Sequence, residues 1–232
     1  MMTEPRADPV LLGEPAELCQ LGALILWREL RDVWGHVSCR LGEDGSFALA
    51  TVRWRNAGFD EPVMVFGADG RPRDDGPVPV ELPIHTEMYR NRPDVGAVVH
   101  AHPHAAVALS AAGATVRAIT QQSVIFGDGV PLLPGHFVDS AELGAELAES
   151  MEGHGAALQR GHGAVCTGPT LAAAVTAMLY LEQTAQQLLW AGTAGGAAPL
   201  PGALRAHALH RRGVSDVLWR QLVDEVKRER WR

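Results

Sequence analysis

The stretch Glu81–His104, ELPIHTEMYRNRPDVGAVVHAHPH, constrains this chain more than any other. Glu81, His85 and Tyr89 recur about one helical turn apart, so a helix is expected there. A turn follows at Asn91-Arg92-Pro93-Asp94. The apolar run Val95-Gly96-Ala97-Val98-Val99 then reads as a strand ending in His100-Ala101-His102-Pro103. Residues two apart in a strand point to one side, so His100 and His102 project together. Two converging imidazoles make half of a divalent metal site. Taken alone, the pair reads more readily as two surface histidines closing a strand.

A third histidine changes that balance. Gln159-Arg160-Gly161-His162-Gly163-Ala164-Val165 also sets an imidazole beside a short apolar stretch. Three neutral imidazoles with an open position describe a catalytic rather than a structural metal site.

The combination Glu81-x-x-x-His85, Tyr89, Arg92-Pro93-Asp94 and Val98-Val99-His100-x-His102 resembles the class II aldolase/adducin family. The likeness runs from Gly35-His36-Val37-Ser38 through Gly161-His162-Gly163 to the helix after Pro169. It implies an α/β three-layer sandwich with a mainly antiparallel central sheet flanked by helices. It implies His100, His102 and His162 as metal ligands, and Glu81 as acid/base or displaceable ligand. His85 and Tyr89 are expected to pack the helix or to support the ligands from behind. The ion would be zinc, manganese, iron or cobalt, and the assembly a homotetramer with sites near subunit interfaces.

The sugar-phosphate aldolases of that family hold phosphate with elements this chain changes. Their Gly-Asn-x-Ser segment has His36 in place of the Asn, and their two serines before the glutamate are Pro79 and Val80 here. Their Thr-Gly loop is replaced by Thr51-Val52-Arg53-Trp54-Arg55-Asn56. A non-phosphorylated substrate is therefore expected. His36 is either a satisfied half-buried histidine or a catalytic polar group facing the substrate. Ser38, Arg40 and Gln122 are the expected substrate-binding residues, Arg40 as a surface charge or a carboxylate clamp.

Three histidines leave an ion free to polarise substrate oxygens. Decarboxylation and aldol cleavage both use this, since each breaks a carbon–carbon bond and leaves an electron pair delocalised as an enolate. The first reading is a metal-dependent lyase, a decarboxylase of a small non-phosphorylated hydroxy- or keto-carboxylate. The alternatives are an aldolase of a non-phosphorylated substrate, an iron-dependent oxygenase on the same fold, and a non-catalytic adducin-like interaction module. The intact set of three histidines and one glutamate argues against the last.

The 232 residues suit one domain with a sizeable core, expected over 14–232 after a flexible leader at 1–13. A net charge of −7 without a long basic run gives nucleic acid no electrostatic footprint. Cys19, Cys39 and Cys166 form neither a CxxC site nor a disulfide framework, which fits a reducing cytoplasm. No apolar stretch approaches the ~18–20 residues of a membrane span. Helices are expected from Glu14-Pro15 to Arg31-Asp32, over 104–113, over 140–159, from Thr170 to Trp190 and from Ser215 to Arg230. Strands are expected at 34–40, 47–51 and 62–66, with strand-turn-strand character over 116–134 and a flexible linker at 191–202.

Overall fold

The computed structural model describes residues 14–52, 63–73, 75–76, 78–209 and 214–230. The expected leader at 1–13 and most of the altered loop at 51–56 lie outside them.

Among the described residues, seven strands form one sheet: β1 (His36–Arg40), β2 (Phe47–Thr51), β3 (Met64–Phe66), β4 (Ala97–Ala101), β5 (Leu132–Leu133), β6 (Ala156–Gln159) and β7 (Gly163–Gly168). Their order is β3-β2-β1-β4-β7-β6-β5. Every pairing is antiparallel except that of β5 with β6. The sheet is thus mixed and mainly antiparallel, as expected.

The helices are α1 (Pro15–Leu30), α2 (Leu82–Asn91), α3 (His104–Ala111), α4 (Ala141–Ser150), α5 (Leu171–Thr193), α6 (Gly202–Leu209) and α7 (Val214–Arg230). Strand alternation divides the buried side chains into two cores. Val37, Cys39, Val99, Ala101 and Cys166 face one way and pack with α1, α5 and α7. Phe47, Leu49, Val98, Ala157 and Val165 face the other and pack with Ile84 and Met88 of α2 and Leu147 of α4. A one-residue slip of β4 would exchange its two faces, so its register is strongly specified. His100, on the Val98 face, is thereby committed to the side of α2.

Two helix ends shape the surroundings of the site. Helix α1 closes on Arg31 at φ 55°, with its N–H returning to the Trp27 carbonyl. That left-handed residue, in a position usually taken by glycine, turns the chain toward Asp32 and β1. Helix α3 begins directly after His102-Pro103, and Glu182 of α5 accepts its Ala105 and Ala106 N–H groups at 2.9 and 3.1 Å. A buried carboxylate there satisfies donors that the helix itself cannot.

Three elements differ from expectation. The helix over 140–159 stops at Ser150, and 156–159 is β6. Gly153 at φ 74° breaks it, and the following residues find ladder partners in β7. The strand-turn-strand at 116–134 is instead a 3-10 helix, Gln122–Phe126, with only the two-residue β5 after it. Ser123 accepts the N–H groups of Ile119 and Thr120, a local arrangement that competes with a ladder. The linker at 191–202 is shortened from both sides, because α5 continues through Thr193 and α6 starts at Gly202. Between them the Leu200 N–H donates to the Ala118 carbonyl.

Candidate metal centre

Glu81 stands immediately before α2, His100 lies near the end of β4 with His102 just past it, and His162 sits in the turn between β6 and β7. Each offers one donor atom, and the four atoms lie within 4.8 Å of one another. Glu81 Oε2 is 3.2 Å from His100 Nε2 and 3.5 Å from His162 Nε2. Its Oε1 accepts the Val138 N–H at 3.1 Å, which anchors the carboxylate from the opposite side. Burial pushes the Glu81 carboxyl up, but His100 and His162 beside it do more and hold it well below the usual carboxylate range.

The histidine–glutamate contacts are close without being aligned as hydrogen bonds. Among the described residues, both ring nitrogens of His100 and both of His162 are buried without an aligned hydrogen-bond partner. Buried polar atoms left unpaired are costly. Each imidazole gives one nitrogen to an ion, and the Nε2 atoms of His100 and His162, both beside Glu81 Oε2, are the pair a shared cation would satisfy. Three imidazoles and a carboxylate suit a divalent transition ion, and these residues fit one.

Gly163 makes room for the cluster. A Cβ there would meet the Ala101 carbonyl at 2.8 Å, His100 Cε1 at 3.0 Å and His102 Cδ2 at 3.2 Å. The glycine after His162 is therefore a steric requirement of the two strand histidines.

His102 is fixed from behind by Asp32. Its Nδ1 lies 3.3 Å from both carboxylate oxygens, and its backbone N–H donates to Oδ2 at 2.9 Å. Asp32 Oδ1 also accepts the N–H groups of Trp34 and Gly35. Burial raises the Asp32 carboxyl, but the His102 contact and these donors bring it down to about 2. With Nδ1 turned to Asp32, Nε2 is the nitrogen left for the cluster.

His36 is the direct cross-strand partner of His100, and their rings are 4.9 Å apart. Its Nδ1 contacts His85 Nε2 at 2.6 Å, while His85 Nδ1 contacts Ser38 Oγ at 2.6 Å and Ser38 Oγ contacts the Tyr89 hydroxyl at 2.8 Å. Burial pushes His85 down to about 3 and His36 well below its ordinary value.

The expected substrate-binding residues have other surroundings. Ser38 is fully buried within that chain. Arg40 donates to the carbonyls of Tyr89, Arg92 and Val95 and lies over the Tyr89 ring. Gln122 is exposed at the start of the 3-10 helix, whose Phe126 belongs to the core on the opposite side of the sheet from Glu81. The structure does not bring it to the cluster. His104 begins α3 and is exposed, outside the donor set.

Sequence reasoning missed Asp32 and Phe137. Phe137 is 61% exposed with its ring 4.8 Å from that of His162. Neither position carries a spacing signal, since each reaches the site through a turn.

A family model for the Class II Aldolase and Adducin N-terminal domain matches residues 16–189. The chain belongs to this family. Among curated proteins it is 34% identical to a 3,4-dihydroxyphthalate decarboxylase of Arthrobacter keyseri over 180 residues, spanning 71% of this chain and 73% of that protein. It is also 34% identical to the protein of the same name from a Terrabacter species, spanning 80% of this chain and 83% of that one. Among solved structures, an L-fuculose 1-phosphate aldolase from Glaciozyma antarctica superposes with a TM-score of 0.76 at 22% identity, covering 99% of this chain and 97% of that one. At that identity the match speaks for the class II aldolase fold alone. Family membership, decarboxylase relatives and the complete donor cluster make the chain a metal-dependent carbon–carbon lyase.

Proposed function

We propose that the chain decarboxylates a non-phosphorylated aromatic carboxylate with adjacent hydroxyls, of the 3,4-dihydroxyphthalate kind. The observation that carries this is the cluster of Glu81, His100, His102 and His162 in a chain with dihydroxyphthalate decarboxylases as relatives. The exposed Phe137 ring beside His162 suits an aromatic substrate. Pro79 and Val80 offer no hydroxyl where the sugar-phosphate enzymes grip phosphate, and Val80 is itself 71% exposed.

His100, His102 and His162 would hold the ion, which we assign as zinc, manganese, iron or cobalt, with Glu81 beside it as acid/base or displaceable ligand. Bound there, it supplies a Lewis acid that offsets negative charge building on substrate oxygens. Loss of carbon dioxide breaks the bond between ring and carboxyl carbon, and its electron pair stays on the ring. Glu81, ionised at rest, is placed to take a proton from a substrate hydroxyl and to return it to that ring carbon. His36 presents an imidazole beside His100 for a substrate oxygen. Phe137 covers the ring from the solvent side.

We further assign residues 14–232 as one domain, a homotetrameric assembly and a cytoplasmic location. Among the described residues no helix is long and apolar enough to cross a membrane. The apolar α5 and the family's habit motivate the tetramer, and light scattering at micromolar concentration tests it. The activity test uses purified protein stripped with chelator and reloaded with each divalent ion. Carbon dioxide release from 3,4-dihydroxyphthalate is expected only after reloading. Inertness toward dihydroxy aromatic carboxylates, with cleavage of a ketose phosphate, would overturn the proposal.

A further inference from the structure

The three contacts that link Tyr89 to His36 define a direction. The Tyr89 hydroxyl is buried, and among the described residues Ser38 Oγ is the partner recorded for it. A buried O–H without an acceptor costs more than an unused lone pair, so Tyr89 donates to Ser38. Ser38 then turns its own proton to His85 Nδ1, 2.6 Å away. A ring nitrogen that accepts carries no proton, so the His85 N–H is on Nε2 and donates to His36 Nδ1, also 2.6 Å away. His36 is left with its proton on Nε2, the nitrogen that takes no part in the chain.

The rest of the surroundings hold this order. Arg40 anchors Tyr89 by donating to its carbonyl while lying over its ring, 4.8 Å from the centroid. Ser38 and His36 are two apart on β1, so both face α2, from which His85 and Tyr89 come one turn apart. Phe47 packs against the rings of both His85 and Tyr89, at 6.2 and 5.1 Å.

The geometry points to Tyr89, Ser38 and His85 as positioning residues that fix the tautomer of His36, making it a neutral N–H donor to a substrate oxygen beside the metal centre. His36 is then neither the base nor the proton donor to carbon, and that work stays with Glu81. The assignment relies on the decarboxylase reading only for the kind of oxygen His36 meets, a carboxylate or hydroxyl oxygen. The tautomer itself is a property of the resting protein.

Long-range proton–nitrogen correlation spectra of the zinc-loaded protein, labelled with 15N-histidine, test it directly. His36 signals are assigned by their loss in His36→Gln. The expected pattern is protonation on Nε2 for both His36 and His85. A His36 protonated on Nδ1, or on both nitrogens, would overturn the inference whatever the enzyme's substrate proves to be. Tyr89→Phe supplies the second arm. It keeps the ring and removes the donor that sets the direction, so the His36 signals should shift toward the Nδ1–H form with metal content unchanged. KM for the carboxylate should rise about fivefold to tenfold, the scale of one hydrogen bond, with kcat changed less. A fall confined to kcat, with the tautomer intact, would count against the chain as the determinant. Inactivity toward every carboxylate with the tautomer as assigned would remove the decarboxylase reading and leave the chain's polarity standing.

Discussion

Asp32 holds His102 at two points, accepting its backbone N–H at 2.9 Å and lying 3.3 Å from its Nδ1 through both carboxylate oxygens. The same carboxylate takes the Trp34 and Gly35 N–H groups, so the start of β1 and the end of β4 share one anchor. Asp32→Asn keeps the size and removes the charge. Metal affinity should fall by about 10- to 100-fold, as outer partners of metal-bound histidines commonly contribute. Titration against a competing chelator measures it, and unchanged affinity would remove Asp32 from the site.

Gly163→Ala tests the space around the two strand histidines. The new methyl would press on the Ala101 carbonyl and on both rings, and backbone cannot move aside cheaply. A loss of roughly 1–3 kcal/mol in unfolding free energy is expected. Metal content should fall with it. Chemical denaturation followed by elemental analysis checks both.

Glu81→Gln separates proton movement from metal retention. The amide is nearly the shape of the carboxylate and can still accept the Val138 N–H. Turnover should drop by roughly two or more orders of magnitude, as when a general acid or base is removed. The three histidines should keep the ion. Full activity in this variant would reassign the proton step.

Phe137→Ala addresses the substrate's ring. KM for an aromatic carboxylate should rise by roughly twofold to tenfold, the scale of one aromatic contact. Metal content and kcat should hold, because Phe137 meets the cluster through its ring contact with His162 and offers no donor atom to it.

Glu182→Ala concerns stability alone. It removes the acceptor for Ala105 and Ala106 at the start of α3 and also the partner of Gln186. Unfolding free energy should fall by about 2 kcal/mol, within the range for hydrogen bonds to a charged group. Urea denaturation at neutral pH measures it.

The members of the candidate metal cluster were legible because their signals are local. His100 and His102 follow from strand alternation, and Glu81 stands at the head of a helix whose spacing the chain shows openly. His162 between two glycines marks a turn, and the family resemblance joined it to the other three. Ser38, Arg40 and Gln122 show where local reading ends. Each carries a group suited to a substrate, yet Ser38 is consumed by His85 and Tyr89, and Arg40 by three backbone carbonyls. The 3-10 helix at Gln122–Phe126 and the strand at Ala156–Gln159 escaped for a related reason. A hydroxyl–backbone contact decided the first and a ladder partner the second.

The sequence by itself determined the class of fold, the face on which His100 and His102 lie, and the residue types able to hold a metal. These depend on periodicity and on chemistry within a few neighbouring residues. Tertiary structure alone decided that Asp32 backs His102, that His36 stands opposite His100, and that Gly163 leaves room for both rings. Those relationships join residues some 60 to 70 positions apart. They depend on the register of β1 against β4 and of β4 against β7, which buried packing on two faces sets and no local spacing encodes.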